Sequence, residues 1–127
     1  MVNPAAARLL IADDNPNILA AYLMFFVDHG HDVRTAVKGA GALAEYRAWR
    51  PDAVVLDIQM LGMDGWAVAR EIRYLQFKPF PLLVAITALS LPHERAESSR
   101  SGFDYHLVKP ADLLVVLGAI ASHPHTS

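Results

Sequence analysis

Five polar residues stand where apolar runs stop. Asp13 and Asp14 follow RLLIA, Asp57 follows AVVL, Thr87 closes LLVAIT, and Lys109 closes FDYHLVK. Taken singly, each has an ordinary use. Asp13, Asp14 or Asn15 can cap a helix. Asp57 can form a strand-end turn, as Asp64-Gly65 can before the next helix, and Lys109 before Pro110 can be a surface lysine. Taken jointly they make a chemical set. Two carboxylates about 4 Å apart repel by ~4 kcal/mol at an effective dielectric near 20, so three on one rim call for a cation or upward pKa shifts. An oxygen-only cluster without His or Cys suits a hard ion, Mg²⁺ first and Mn²⁺ as a substitute. Adding the Lys109 ammonium and the Thr87 hydroxyl gives the parts that hold phosphoryl oxygens around an attacking carboxylate, with Asp57 as nucleophile.

Such a set works only if the fold brings its members together. Five runs read as strands: 8–14, 31–36, 53–57, 82–87 and 103–109. LLIA, AVVL and LLVAI are continuously apolar, as inner strands of a parallel sheet covered on both faces are. The other two are mixed, as near-edge strands would be. Helical periodicity fills the gaps between strands. The first helix opens at Asn15-Pro16, with Leu19, Tyr22, Leu23 and Phe26 inward, and ends at His29-Gly30. The second spans about 38–49, with Leu43 and Tyr46 inward, and stops at Arg50-Pro51. The third follows Asp64-Gly65 and carries Val68, Ile72 and Leu75 on one face. The fourth, 91–101, is polar, Ser-rich and interrupted by Pro92; the fifth, 112–122, is apolar on nearly every side. Alternating strands and helices predict a doubly wound α/β sheet with right-handed crossovers. In such a sheet the carboxyl ends of the strands form the ligand rim, and all five polar residues stand there.

Composition removes other classes. The 127 residues, 54% hydrophobic, suit a single folded domain. A net charge of -2 and no basic stripe argue against direct nucleic-acid binding. Zero cysteines exclude disulfides and thiolate metal sites. There is no signal-peptide pattern and no apolar run near the ~20 residues that cross a bilayer, so a cytoplasmic domain without membrane contact is expected. Glycine-rich phosphate loops are absent, since Gly39 and Gly41 fit neither nucleotide-binding pattern. His29-x-His31 reads as helix-end capping ahead of metal binding, and HPHTS at 123–127 reads as a frayed tail.

The order DD, D, T, KP on successive strands, set in LLIADDNPNI, PDAVVLDIQMLGMDGWAVAREIR, VAITA and GFDYHLVKPAD, resembles the receiver domain of two-component response regulators. The likeness is to chemotaxis-type regulators and covers residues 1–127, with a core of about 8–122. It implies a flavodoxin-like five-stranded parallel sheet of order 2-1-3-4-5 with five helices. It implies phosphorylation of Asp57 by a histidine kinase or histidine phosphotransfer protein. Asp14, Asp57 and the Gln59 backbone carbonyl would then ligate Mg²⁺, with Asp13 acting largely through water. Thr87 would move towards the phosphoryl group, Lys109 would pair with it, and the Lys109-Pro110 bond would be cis. Catalysis would be confined to the domain's own aspartyl phosphorylation and dephosphorylation, with Gln59 and Leu89 flanking the route of attacking water.

The sequence departs from the family pattern at two positions. Leu61 stands where proline is usual. His106, three residues before Lys109, stands where the family has a Tyr or Phe switch; a histidine there adds a group that can titrate near neutral pH. Two other readings compete. Phosphatases with a strand-end aspartate nucleophile need a second Asp two residues on as general acid, where this chain has Gln59. A degenerate receiver would act as a phosphorylation-independent interaction module. Leu113, Leu114, Val115, Val116, Leu117 and Ile120 exceed one inner stripe, which predicts self-association or effector binding on the face of the fourth helix, fifth strand and fifth helix. The chain is expected to be a stand-alone receiver or a piece of a larger regulator or hybrid kinase.

Overall fold

The computed structural model describes residues 6–124. Its elements alternate without exception: β1 (Arg8–Ala12), α1 (Pro16–Asp28), β2 (Asp32–Ala36), α2 (Gly39–Trp49), β3 (Ala53–Leu56), α3 (Gly65–Leu75), β4 (Leu82–Thr87), α4 (Pro92–Ser101), β5 (Tyr105–Val108) and α5 (Leu113–Ser122). The five strands form one sheet in the order β2-β1-β3-β4-β5, with every pairing parallel. This is the flavodoxin-like architecture expected. The observed strands are up to two residues shorter at either end than the apolar runs suggest.

Parallel strands with both faces covered explain the unbroken apolar runs. Alternate residues of β1, β3 and β4 serve opposite layers. Leu10, Val54, Leu56 and Leu83 pack with Leu43, Tyr46, Val68 and Ile72 of α2 and α3. Leu9, Ile11, Val55, Val84 and Ile86 pack with Leu19 and Phe26 of α1 and Val116 and Ile120 of α5. Each fully buried Leu or Ile contributes about 2 kcal/mol, so the central strands are fixed and their ends are held with them. Leu23 is a correction: it lies exposed at the edge of the α1 stripe, and Leu19 and Phe26 carry that helix's burial. His123 is another, since its Nε2 bonds the Phe80 carbonyl at 2.9 Å instead of fraying; His125 to Ser127 lie outside the described residues.

Helix starts follow local chemistry. The Asn15 side chain accepts from the amides of Asn17 and Ile18, with Pro16 opening α1. Asp64 accepts from the Ala67 amide at 2.9 Å. Pro92 does not interrupt α4; it occupies the first turn, where its missing N–H costs nothing, and the Glu94 carboxylate reaches back to the Leu91 amide at 2.9 Å. No described helix is long and apolar enough to cross a membrane.

Arg73 fastens the end of the sheet opposite the rim. It donates to the Gly102 carbonyl at 3.0 and 2.8 Å, to the Pro81 carbonyl at 2.9 Å and to Asp104 at 3.1 Å. Asp104 in turn accepts the Leu83 amide at 2.9 Å. Arg73→Ala strands two carbonyls and is expected to lower unfolding free energy by ~2–3 kcal/mol, measured by urea denaturation.

Candidate functional site

β1 and β3 are neighbours, so the residues after them, Asp13 and Asp57, are too; the Asp57 amide donates to the Ala12 carbonyl at 2.9 Å. Asp13 is 2% exposed and Asp57 6%. The Asp13 Oδ1 accepts from the Asn15 amide at 2.9 Å, and Asp57 Oδ1 from the Gln59 amide at 3.1 Å. Both remaining oxygens meet one cation: Lys109 Nζ donates to Asp13 Oδ2 and to Asp57 Oδ2, each at 2.8 Å. The lysine therefore spans from β5 past β4 to the ends of β3 and β1. Its partial burial is the largest single influence and lowers its pKa. The hydrogen bonds and charges of Asp13 and Asp57 together outweigh that, and hold the ammonium above the ordinary lysine range. It is fully charged at neutral pH.

Asp14 is exposed and completes the acidic cluster: one oxygen each from Asp13, Asp14 and Asp57 lies within 4.8 Å of the others. Three carboxylates against one ammonium leave net negative charge at the rim, the donor set being oxygen throughout. That composition fits a hard divalent cation. The backbone of the loop after β3 is pressed against α3: a Cβ at Gly65 would sit 2.6 Å from the Asp57 carbonyl oxygen. Only glycine lets the helix start that close. Leu61 stands outside this packing, 78% exposed beside Gly62 at φ 78°.

Thr87 ends β4, wholly buried, and its Oγ1 accepts the Leu89 amide at 3.3 Å. Its carbonyl accepts the Lys109 amide at 2.9 Å. The Lys109–Pro110 bond is cis. Two residues near the rim and the switch position carry no motif in the sequence. Tyr22 of α1 is half-buried; burial raises its phenol pKa, with Lys109 opposing and Asp13 and Asp57 adding, which places its hydroxyl in the field of the rim. Ser98, buried within the polar helix α4, bonds the His106 ring at 2.7 Å. His29 and His31 have structural uses: His29 Nδ1 bonds the Phe25 carbonyl, and His31 Nδ1 accepts the Ala7 amide, at 2.8 and 2.9 Å.

A flavodoxin-like sheet whose rim gathers buried aspartates under a lysine has the build of a signalling receiver. Residues 9–121 match the response regulator receiver domain family, and the chain belongs to it. It is 38% identical over 103 residues to the transcriptional regulatory protein PrrA of Mycobacterium tuberculosis, covering 81% of this chain and 43% of PrrA. It is 30% identical over 115 residues to protein PilH of Pseudomonas aeruginosa, covering 90% of this chain and 94% of PilH. The chain thus spans less than half of the one relative and nearly all of the other. Among solved structures, the chemotaxis protein CheY4 of Vibrio cholerae superposes with a TM-score of 0.85 at 26% identity, over 94% of this chain and 99% of CheY4.

Proposed function

We propose that the chain is a phosphoacceptor of a two-component or phosphorelay system, phosphorylated on Asp57 and signalling through a change of surface. The bridge from Lys109 Nζ to Asp13 and Asp57, at 2.8 Å each, carries this reading. A nucleophilic carboxylate needs its charge held without being protonated, and an oxygen-rich rim open to a donor. The bridging ammonium and the exposed Asp14 supply both.

In the proposed reaction an Asp57 oxygen attacks the phosphorus of a phosphohistidine on a histidine kinase or phosphotransfer protein, and the imidazole leaves. Lys109 stays with the developing phosphoryl oxygens, Thr87 turns its hydroxyl towards them, and the Gln59 amide orients the carboxylate. Asp13, Asp14, Asp57 and the Gln59 carbonyl would hold Mg²⁺, which neutralises phosphoryl charge when bound. The chemistry is limited to the domain's own phosphorylation and its reversal, in the cytoplasm. Asp14→Asn is expected to weaken Mg²⁺ binding about tenfold, one lost charge-assisted ligand, while raising the stability of the metal-free protein by relieving repulsion. Thermal unfolding with and without Mg²⁺ reads both effects.

The output face is α4, β5 and α5. Val116, Ala119 and Ile120 fill the core, while Leu114 is 63% exposed, with Val115 and Tyr105 also at the surface. An effector or second copy would cover them. Beryllofluoride with Mg²⁺ tests the switch: amide resonances of α4, β5 and α5 should move along with those of the rim. A response confined to the rim would favour a phosphorylation-independent interaction module.

A further inference from the structure

His106 is not a free ring. Its Nε2 lies 2.7 Å from the Leu89 carbonyl and its Nδ1 2.7 Å from Ser98 Oγ. Ser98 Oγ also receives the Trp66 indole N–H at 2.9 Å. The protons can be placed by elimination. A carbonyl only accepts, so Nε2 carries the imidazole proton. An indole only donates, so Ser98 accepts it; beside a neutral imidazole the serine hydroxyl then turns its own proton to Nδ1. The neutral Nε2–H tautomer then satisfies every donor and acceptor in the chain of four groups, one to one. Ser98 is 1% exposed, so the hydroxyl at the centre is shielded from water, while the ring, the indole and the Leu89 carbonyl around it are part-buried.

The chain of bonds joins four elements: α3 through Trp66, α4 through Ser98, β5 through His106, and the β4–α4 loop through Leu89. Leu89 is also the residue whose amide donates to Thr87 Oγ1 at 3.3 Å. A phenylalanine at 106 could fill the same space but make neither ring bond. Arg95 adds a contact from α4 to the His106 carbonyl at 3.4 Å, on the backbone and not on the ring.

We propose that Trp66, Ser98 and His106 form a hydrogen-bonded latch that holds α4 and the Leu89 carbonyl in one arrangement, so that displacement of Thr87 reaches the α4–β5–α5 face by breaking defined bonds. The role rests on the reading of Asp57 as phosphoacceptor; the latch itself does not. When Thr87 turns towards a phosphoryl group, its hydroxyl either drops the Leu89 amide or drags it. Leu89 carries the acceptor of the histidine, the histidine holds Ser98, and Ser98 holds Trp66. Trp66, Ser98 and His106 are positioning residues, since none touches the reacting carboxylate.

Nitrogen-15 NMR of the whole chain tests it. In the unmodified protein His106 is expected as the Nε2–H tautomer, with the Trp66 indole N–H protected from exchange; Trp49→Phe assigns the indole signal. Ser98→Ala should expose the Trp66 indole. It should also remove most of the beryllofluoride-induced shift of the α4 amides. The phosphoryl adduct formed from acetyl phosphate should be retained. His106→Phe, a second variant that keeps an aromatic ring but no ring hydrogen bond, should give the same loss of α4 response. A proton on Nδ1 alone, an indole unprotected in the unmodified protein, or a full α4 response in both variants overturns the latch. An unmodified protein that forms no adduct overturns the phosphoacceptor reading instead, and the tautomer and indole measurements still judge the latch.

Discussion

Lys109→Ala is expected to cost the metal-free protein about 3 kcal/mol at neutral pH, most of it recovered on adding Mg²⁺. Asp13 and Asp57 are buried and share this one ammonium. Removing one partner from a buried ionic group leaves uncompensated charge, which costs ~3–5 kcal/mol; the lysine's partial exposure puts the loss at the lower end. The folded lysine pKa lies above its ordinary 10.5. Its contribution is therefore complete below 10.5 and is lost only as pH rises through the folded value. The gap between the two proteins should stay flat through neutral pH and narrow only in strong alkali. Urea denaturation with and without Mg²⁺ measures it. A gap below about 1 kcal/mol, the size of an exposed pair, would mean the bridge is no more than a surface contact.

Gly65→Ala is expected to be as severe, for a steric reason. The added Cβ would lie 2.6 Å from the Asp57 carbonyl oxygen and 2.7 Å from the Ile58 Cα. Both are backbone atoms at the end of a buried strand, so relief requires moving α3 or the loop that carries Asp57. A stability loss of about 3 kcal/mol, at the upper end of overpacking, should come with weaker Mg²⁺ binding, because the displaced peptide is the one bearing the carboxylate. Gly62→Ala is the control. Its φ of 78° penalises a side chain, yet nothing lies within 4 Å of the added atom. It should cost only ~1–2 kcal/mol and leave Mg²⁺ affinity nearly unchanged. Equal affinities in Gly65→Ala and the unmodified protein would separate the helix packing from the site.

The sheet and its rim were legible because burial on two faces writes an unbroken apolar run, and a charged residue ending such a run stands out. Asp13, Asp57, Thr87 and Lys109 were found that way, and strand order places them together. What depended on distant contacts was hidden. Ser98 looks like one of several polar residues in a solvated helix, and nothing local says that Trp66 and His106 converge on it. Pro92 looks like an interruption only if the helix is taken to begin at Leu91; Leu91 is the cap and the proline opens the first turn. Leu23 fits the period of the α1 stripe, but it lines an open groove with Thr35 and Val37 beside the edge strand β2. Arg73 carries no motif; its three acceptors come from segments that only the fold assembles. Leu61 for proline has no structural consequence visible in its exposed loop.

The most direct measurement of the central claim is the intact mass of the protein after incubation with acetyl phosphate and Mg²⁺. A single added phosphoryl group, present in the unmodified chain, lost on chelating the metal and absent from Asp57→Asn, is the predicted result. No adduct, or an adduct that persists in Asp57→Asn, would contradict the assignment of Asp57 as the phosphoacceptor.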